Sequence, residues 1–206
     1  MPLITPEQAA TFERCMAVGG VAIFPADTVY GVACEPESDE AVQRIYELKG
    51  RPPQKPAAVM FFQLELALAA LPALEPRTAA ALEELLPGAI TVLLPNPERR
   101  FPLPCGPDPM TLGLRVPALP RSCEALETVR WPVVQTSANL AGGPDARRLS
   151  DVPQVLRDGA DLLLDGGELP GTPSTVVDLR EFEQDGTWTV VREGAVPASD
   201  IAQTLR

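Results

Sequence analysis

An α/β fold is the class this sequence predicts: a twisted mixed sheet, mostly parallel with an antiparallel hairpin, flanked by helices. Three observations point there. Strands alternate with helices through the first half, a pair of strands comes late around a Gly-containing turn, and 45% of the 206 residues are hydrophobic. The length suits one domain spanning 1–206, and no internal repeat or low-complexity linker divides it.

Each element has a local reason. Thr5-Pro6-Glu7-Gln8 reads as a helix start, with Thr5 as the cap, Pro6 at the first position and Gln8 closing a capping box. The helix should run to about Val18 and stop at Gly19-Gly20. Val21–Phe24 is then a buried strand, Pro25-Ala26-Asp27 breaks it, and Thr28–Val32 resumes extended structure. Ser38-Asp39-Glu40 caps a second helix whose apolar face is Ala41, Val42, Ile45 and Leu48. A cationic loop follows, then a strand through Ala57–Phe62 and two Ala- and Leu-rich helices over 64–71 and 77–86. Strands at Ile90–Leu94 and Leu112–Val116 flank Pro95–Pro109, which is too proline-laden for regular structure and reads as a surface loop. A helix near 121–129 precedes the strand Val133–Thr136, and Val152–Asp158 is helical. Ser174–Asp178 and Trp188–Arg192 read as a hairpin turning near Asp185-Gly186, before a short helix from about Ala198.

Composition excludes several kinds of function. The chain has no histidine, which removes Ser-His-Asp and Cys-His catalysis, a histidine general base and almost every zinc site. Chemistry must then run on carboxylates, cations, hydroxyls and backbone donors, an inventory suited to a nucleophile that is already anionic. A formal charge of −11 argues against broad nucleic-acid binding, although a small basic cleft on an acidic body remains compatible with it. Cys15, Cys34, Cys105 and Cys123 are scattered, with no Cys-x-x-Cys. With no secretory leader and no run of membrane-spanning length, they read as reduced thiols of a cytoplasmic protein.

Five segments could carry chemistry. Thr28 and Tyr30, in Asp27-Thr28-Val29-Tyr30-Gly31, stand at the end of a buried strand, where α/β sheets commonly line a ligand crevice. The only two lysines, Lys49 and Lys55, share one Gly/Pro-bounded turn with Arg51, while every other cation is one of 15 arginines. Lysine is a compact point charge that arginine does not copy, and three clustered cations call for an anion such as a polyphosphate. Lys49 alone could instead offset the dipole of the preceding helix. Arg115 interrupts the apolar strand after Thr111, so it needs either an internal carboxylate or a ligand's. Ser137 and Asn139, in Thr136-Ser137-Ala138-Asn139 ahead of Gly142-Gly143, follow a strand and could approach a phosphate closely. Ser174 and Arg192 lie on the two arms of the late hairpin.

In this order and spacing, the segments resemble the YrdC/Sua5 family, the L-threonylcarbamoyladenylate synthases, from about Pro6 to Gly194. The resemblance rests on Asp27–Gly31, the Lys-x-Arg of Lys49 and Arg51, Gly113-Leu114-Arg115-Val116-Pro117, the Ser-x-Asn of Ser137 and Asn139, Ser174–Asp178 and Arg192-Glu193-Gly194. It implies a single-domain YrdC-like fold. It also implies a nucleotidyltransferase that makes threonylcarbamoyl-AMP and pyrophosphate from L-threonine, bicarbonate and ATP with Mg2+, for N6-threonylcarbamoylation of tRNA adenosine 37. A separate threonylcarbamoyl transferase complex would act downstream, contact with tRNA stays open, and no membrane partner is implied. By position, Thr28, Arg115 and Ser174, with Tyr30 beside them, would hold threonine. Arg51, Lys55, Thr111, Ser137 and Arg192 would hold ATP, and Lys49, Arg51, Ser137 and Asn139 would form the catalytic tetrad. Two positions depart from the family pattern: Met60 stands where many members carry histidine, and Pro173 where glutamate is common. The competing readings are a non-catalytic double-stranded RNA or tRNA-binding module, and a paralogue with other carbamoyl or acyl-adenylate chemistry.

Overall fold

The computed structural model describes residues 4–52 and 54–205. In chain order the helices are α1 (Pro6–Ala17), α2 (Asp39–Lys49), α3 (Leu64–Ala70), α4 (Pro76–Leu85), α5 (Gln154–Gly159), α6 (Phe182–Asp185) and α7 (Ala198–Thr204). The strands are β1 (Ala22–Pro25), β2 (Tyr30–Cys34), β3 (Ala58–Met60), β4 (Ile90–Pro95), β5 (Thr111–Arg115), β6 (Val133–Ser137), β7 (Leu162–Leu163), β8 (Thr175–Asp178) and β9 (Thr189–Arg192). All nine join one sheet in the order β7-β1-β2-β6-β3-β5-β4-β8-β9.

The sheet is mixed, but the expectation of mostly parallel strands fails. Among the described residues five of the eight pairings are antiparallel and three parallel. Connection length explains part of this. Ala26–Val29 joins β1 to β2 in a span far too short for a parallel crossover, so the chain turns straight back.

Local signals hold at the helix ends. Thr5 Oγ1 accepts from Gln8 N at 3.2 Å while Gln8 Oε1 accepts from Thr5 N at 2.9 Å, the reciprocal pair that closes α1. Ser38 Oγ accepts from Ala41 N to start α2, and Gly50 at φ 56 ends it in the left-handed region open to glycine. The segment expected as a helix near 121–129 is a 3-10 turn over Arg121–Thr128. The late hairpin exists as β8 and β9, with a bulge at Val176/Val177, but α6 stands between its arms.

The proline-rich stretch is more than a surface loop. Asn96, Phe101, Pro104 and Cys105 are buried, and Leu103–Cys105 forms a 3-10 turn. Asn96 supplies the hydrogen bonds that regular structure would have made. Its amide donates to Arg100 O and Pro109 O, and its oxygen accepts from Arg100 N.

Strand alternation then decides where a site can form. Val59, Val92, Leu112 and Leu114 project to one face with Ala67, Leu82 and Ile201 of the covering helices. Farther along the sheet, Tyr30, Val32, Cys34 and Val134 pack with Ala41, Val42 and Ile45 of α2. Ala22, Phe24, Ala33, Met60 and Val133 pack instead with Phe12 and Met16 of α1 and Leu126 of the 3-10 turn. Three phenylalanines, Phe12, Phe24 and Phe62, meet there with centroids 5.1 to 6.1 Å apart. Beyond that cluster Ala58, Gly113 and Gln135 line an open concavity.

Candidate active site

The floor of this concavity is a cross-strand row with small residues, Gly113 and Ala58, at its centre. Leu93 lies opposite Gly113, Gly113 opposite Ala58, Ala58 opposite Gln135, and Gln135 opposite Ala33. Methyl groups and hydrogens in the middle of the row leave a cleft of ≈ 420 Å³, within the usual range of about 300–1,000 Å³ for small-molecule sites.

Seven of the eleven residues expected at the site line it: Thr28, Arg51, Thr111, Arg115, Ser137, Ser174 and Arg192. Arg115 is 3% exposed, and its Nη2 donates to Asp27 Oδ1 at 2.6 Å while Nη1 donates to Gln135 Oε1 at 3.1 Å. Burial lowers its pKa and Asp27 opposes that shift. The internal carboxylate required by a cation in an apolar strand is therefore Asp27, yet Arg115 also borders the cleft. Thr28 Oγ1 stands 3.5 Å from Arg115 Nη2.

Ser174 immediately precedes β8. Its hydroxyl shares a 2.8 Å hydrogen bond with Thr91, and Arg192 from β9 donates to Ser174 O at 2.6 Å. The antiparallel pairing of β8 with β9 is what brings residues 18 apart in sequence together. Arg51 donates to Pro56 O at 2.6 Å and to Thr136 Oγ1 at 3.2 Å, and sits over the Tyr46 ring at 5.8 Å.

Four expected residues do not line the cleft. Tyr30 is fully buried on the helix-covered face with Val32 and Cys34, because side chains two apart share a face. Its single hydroxyl proton is shared between Asp165 Oδ1 and Gly167 O, its oxygen accepts from Gly166 N, and burial pushes the phenol above its ordinary pKa. It is a packing residue. Lys55 is exposed, its backbone oxygen accepting from the Tyr46 hydroxyl at 2.8 Å.

Lys49 is buried, on the inner stripe of α2 with Val42, Ile45 and Tyr46. Its ammonium meets the end of β6, donating to Ser137 O, to Asn139 O at 2.6 Å and to Asn139 Oδ1 at 3.1 Å. Ser137 Oγ also donates to Asn139 Oδ1, at 2.7 Å. Lys49 and Asn139 thus stand behind Ser137 and do not face the cleft directly. Burial pulls the Lys49 pKa down to about 8, Arg51 pulls the same way, and Asp145 opposes them. Lys49 and Arg51 meet adjacent residues at the end of β6, whereas Lys55 is exposed and does not line the cleft.

Sequence reasoning missed several cleft residues. Arg180 is held by Asp178 through Nε–Oδ1 at 2.9 Å and Nη2–Oδ2 at 2.6 Å, and its Nη1 reaches Thr111 Oγ1 at 3.3 Å. Thr111 in turn donates to Asp108 Oδ2 at 2.6 Å. Asp145 accepts from Asn139 Nδ2 at 3.3 Å. Gln135 and Thr91 complete the lining. A polar residue in an otherwise apolar strand was the available signal for Gln135 and Thr91, as it was for Arg115. Of the two departures from the family pattern, Met60 is fully buried with Phe24 and Phe62 and does not border the cleft, whereas Pro173 does. Among the described residues no helix is long and apolar enough to cross a membrane, and no group of three His, Cys, Asp or Glu side chains is placed to hold a metal ion.

The family model Sua5/YciO/YrdC, described as "Telomere recombination", matches residues 14–194. A threonylcarbamoyl-AMP synthase of Pyrococcus abyssi is 30% identical over 191 residues, covering 91% of this chain and 54% of that protein. A threonylcarbamoyl-AMP synthase of Chromohalobacter salexigens is 34% identical over 184 residues, covering 87% of this chain and 96% of the relative. The solved structure of P. abyssi Sua5 complexed with L-threonine superposes with a TM-score of 0.84 at 27% identity, over 97% of this chain and 58% of that one. The chain therefore spans little more than half of these P. abyssi proteins and nearly all of the Chromohalobacter relative.

Proposed function

Because the chain belongs to the Sua5/YciO/YrdC family, we propose that it is a threonylcarbamoyl-AMP synthase, making threonylcarbamoyl-AMP and pyrophosphate from L-threonine, bicarbonate and ATP. The observation that carries this reading is a single cleft that gathers Arg51, Ser137, Thr111 and Arg192 with Thr28, Arg115 and Ser174 in a protein without histidine.

Threonine's amine and bicarbonate give a carbamate with loss of water. One carbamate oxygen attacks the α-phosphorus, the bond to the bridging oxygen breaks, and pyrophosphate leaves with the electron pair. The attacking oxygen already carries negative charge, so this step needs no histidine base. It needs alignment and neutralisation of the phosphoryl charge. Arg51 and Arg192 would meet the phosphates, with the Ser137 hydroxyl and Thr111 beside them. Lys49 would act through the Ser137–Asn139 strand end, fixing Ser137 from behind and adding positive charge. Thr28, Arg115 and Ser174 would hold the amino acid. Mg2+ would enter as part of the ATP substrate. Asp108 and Asp145 border the cleft without forming a metal cage, so the phosphates would supply much of its coordination.

The product would pass to a separate threonylcarbamoyl transferase complex for modification of tRNA adenosine 37, in the cytoplasm. Four free cysteines support a reducing compartment. Incubating the purified chain with isotopically labelled threonine, bicarbonate and Mg-ATP should yield a labelled adenylate by mass spectrometry. ATP consumption without that mass would point to other acyl-adenylate chemistry, and no ATP consumption would remove the enzymatic reading.

A further inference from the structure

Asp108, Thr111 and Arg180 line the cleft as one hydrogen-bonded group, with Asp178 behind them. Strand register sets their distance from Arg51 and Ser137. Ser137 and Thr111 each stand two residues beyond the row through Gln135, Ala58 and Gly113, at the same end of the sheet. Two strand spacings, about 10 Å, separate them. Asp178 holds Arg180 as a fork, with Nε on Oδ1 at 2.9 Å and Nη2 on Oδ2 at 2.6 Å. Nη1 donates to Thr111 Oγ1 at 3.3 Å, and the Thr111 hydroxyl gives its one proton to Asp108 Oδ2 at 2.6 Å. Thr111 then has no proton left for a ligand. A guanidinium carries five N–H groups, so Arg180 keeps two of them. Asp108 also keeps lone pairs, although Met110 N donates to its Oδ1 at 3.1 Å. Donors and acceptors thus stand side by side, on side chains fixed against one another. An exposed ion pair adds only about 0–1 kcal/mol to folding, so the chief effect of this arrangement is geometric.

Charge decides which part of a nucleotide suits each end. Two carboxylates meet one guanidinium in this corner: the Asp178 hydrogen bond raises the Arg180 pKa, and the Asp108 charge adds to the rise. The corner is net negative and would repel a phosphate. At the other end Lys49 and Arg51 stand near one carboxylate, Asp145, which leaves that end net positive. A sugar diol is neutral, and each hydroxyl both donates and accepts, so it matches the mixed corner. Pro107 and the exposed Val191 also line the cleft and give a base an apolar surface. We propose that Asp108 and Arg180 bind the ribose of the nucleotide, Asp108 accepting from a hydroxyl and Arg180 donating to its oxygen, and that they make this chain prefer ribonucleotides to deoxyribonucleotides. This rests on reading the cleft as a nucleotide site, and it fixes which way round the nucleotide lies. Thr111 would mark the point where the phosphates end and the sugar begins.

Titration calorimetry with Mg-ATP and with Mg-dideoxy-ATP, which lacks both ribose hydroxyls, tests this. The parent chain should bind the dideoxy nucleotide about 10- to 100-fold more weakly, the cost of losing a hydrogen bond to a charged group. Asp108→Ala should weaken Mg-ATP by a similar factor yet leave dideoxy-ATP within about twofold, so that the preference disappears. Arg180→Met should narrow the gap between the two nucleotides in the same way. Inorganic tripolyphosphate should bind Arg180→Met as it binds the parent chain. Misfolding would weaken both nucleotides alike, and the parent chain's own preference tests the proposal without any variant. Equal affinity of the parent chain for the two nucleotides would overturn it, as would a preference that persists in Asp108→Ala. Lost tripolyphosphate binding in Arg180→Met would make Arg180 a phosphate ligand and overturn it as well. Should the parent chain bind ATP yet form no adenylate, the proposed reaction fails while this comparison still decides the ribose contact. If it binds no nucleotide, both readings fall.

Discussion

Lys49 concentrates the electrostatics of the site in one side chain. An ammonium has three protons to donate, and three oxygens surround Nζ, from Ser137 O, Asn139 O and Asn139 Oδ1. With a pKa lowered to about 8 by burial and then by Arg51, it is charged at neutral pH and loses its proton in the mildly alkaline range. Activity that depends on this cation should therefore fall as pH rises through about 8. The effect on stability has the opposite sign. Below 8 the unfolded and folded chains are both protonated and the cost of burying the charge is fully present. Between about 8 and the ordinary lysine value of 10.5 the unfolded chain holds more protons, so that cost is relieved as pH rises. Pyrophosphate release measured from pH 6 to 10 should descend with a midpoint near 8. A plateau extending past pH 9.5 would show that the Lys49 charge is not needed. The Arg115–Asp27 pair gives a second test at this scale. Asp27→Ala leaves a buried guanidinium without its counter-ion and should lower unfolding free energy by about 3–5 kcal/mol. Urea denaturation showing a loss below about 1 kcal/mol would mean that the pair is dispensable.

At the scale of elements, strand parity decides which residues meet the ligand. Arg115 could be found in the sequence because a cation inside an apolar strand demands a partner. Tyr30 misled for the converse reason: motif proximity to Thr28 carries no information about face, and β2 starts at a point that turns Tyr30 toward α2. Lys49 looked like a loop cation, although its spacing from Val42 and Ile45 already places it on the inner stripe of α2. The helix ends, the order of the long strands and the arms of the late hairpin were legible because caps, glycines and apolar runs act locally. The sense of strand pairing, the two-residue β7 and the buried anchoring of the proline-rich stretch were not, since they depend on contacts distant in sequence. Gly31 provides an element-level prediction. A methyl group there would press on Gln135 Nε2 at 2.7 Å and on Phe24 Cε1 at 3.2 Å. The amide ends a flexible side chain, so Gly31→Ala should fold, with the Gln135 amide swung away from Arg115 and the guanidinium less firmly held. Its threonine KM should rise about tenfold with kcat little changed, the pattern of lost ground-state binding. An unchanged KM in steady-state assays would contradict this account of the cleft floor.

Across the whole molecule, an acidic surface surrounds a cleft bordered by four arginines, Arg51, Arg115, Arg180 and Arg192. A net charge of −11 disfavours a general RNA-binding face. It fits positive charge confined to a cleft, where it would neutralise the negative charge of bound phosphates. The sheet explains this confinement: among the described residues helices cover one face and α1 covers part of the other, leaving open the stretch from Gln135 through Ala58 and Gly113 to Leu93 and Val176. Arg51 is the group through which the claim is tested most directly, because it borders the cleft and pairs with no carboxylate among the described ion pairs. Threonine- and bicarbonate-dependent pyrophosphate release should drop about 10²- to 10³-fold in Arg51→Ala, with circular dichroism and melting temperature close to those of the parent chain. Near-parental turnover in that variant would contradict charge neutralisation by the cleft as the source of catalysis.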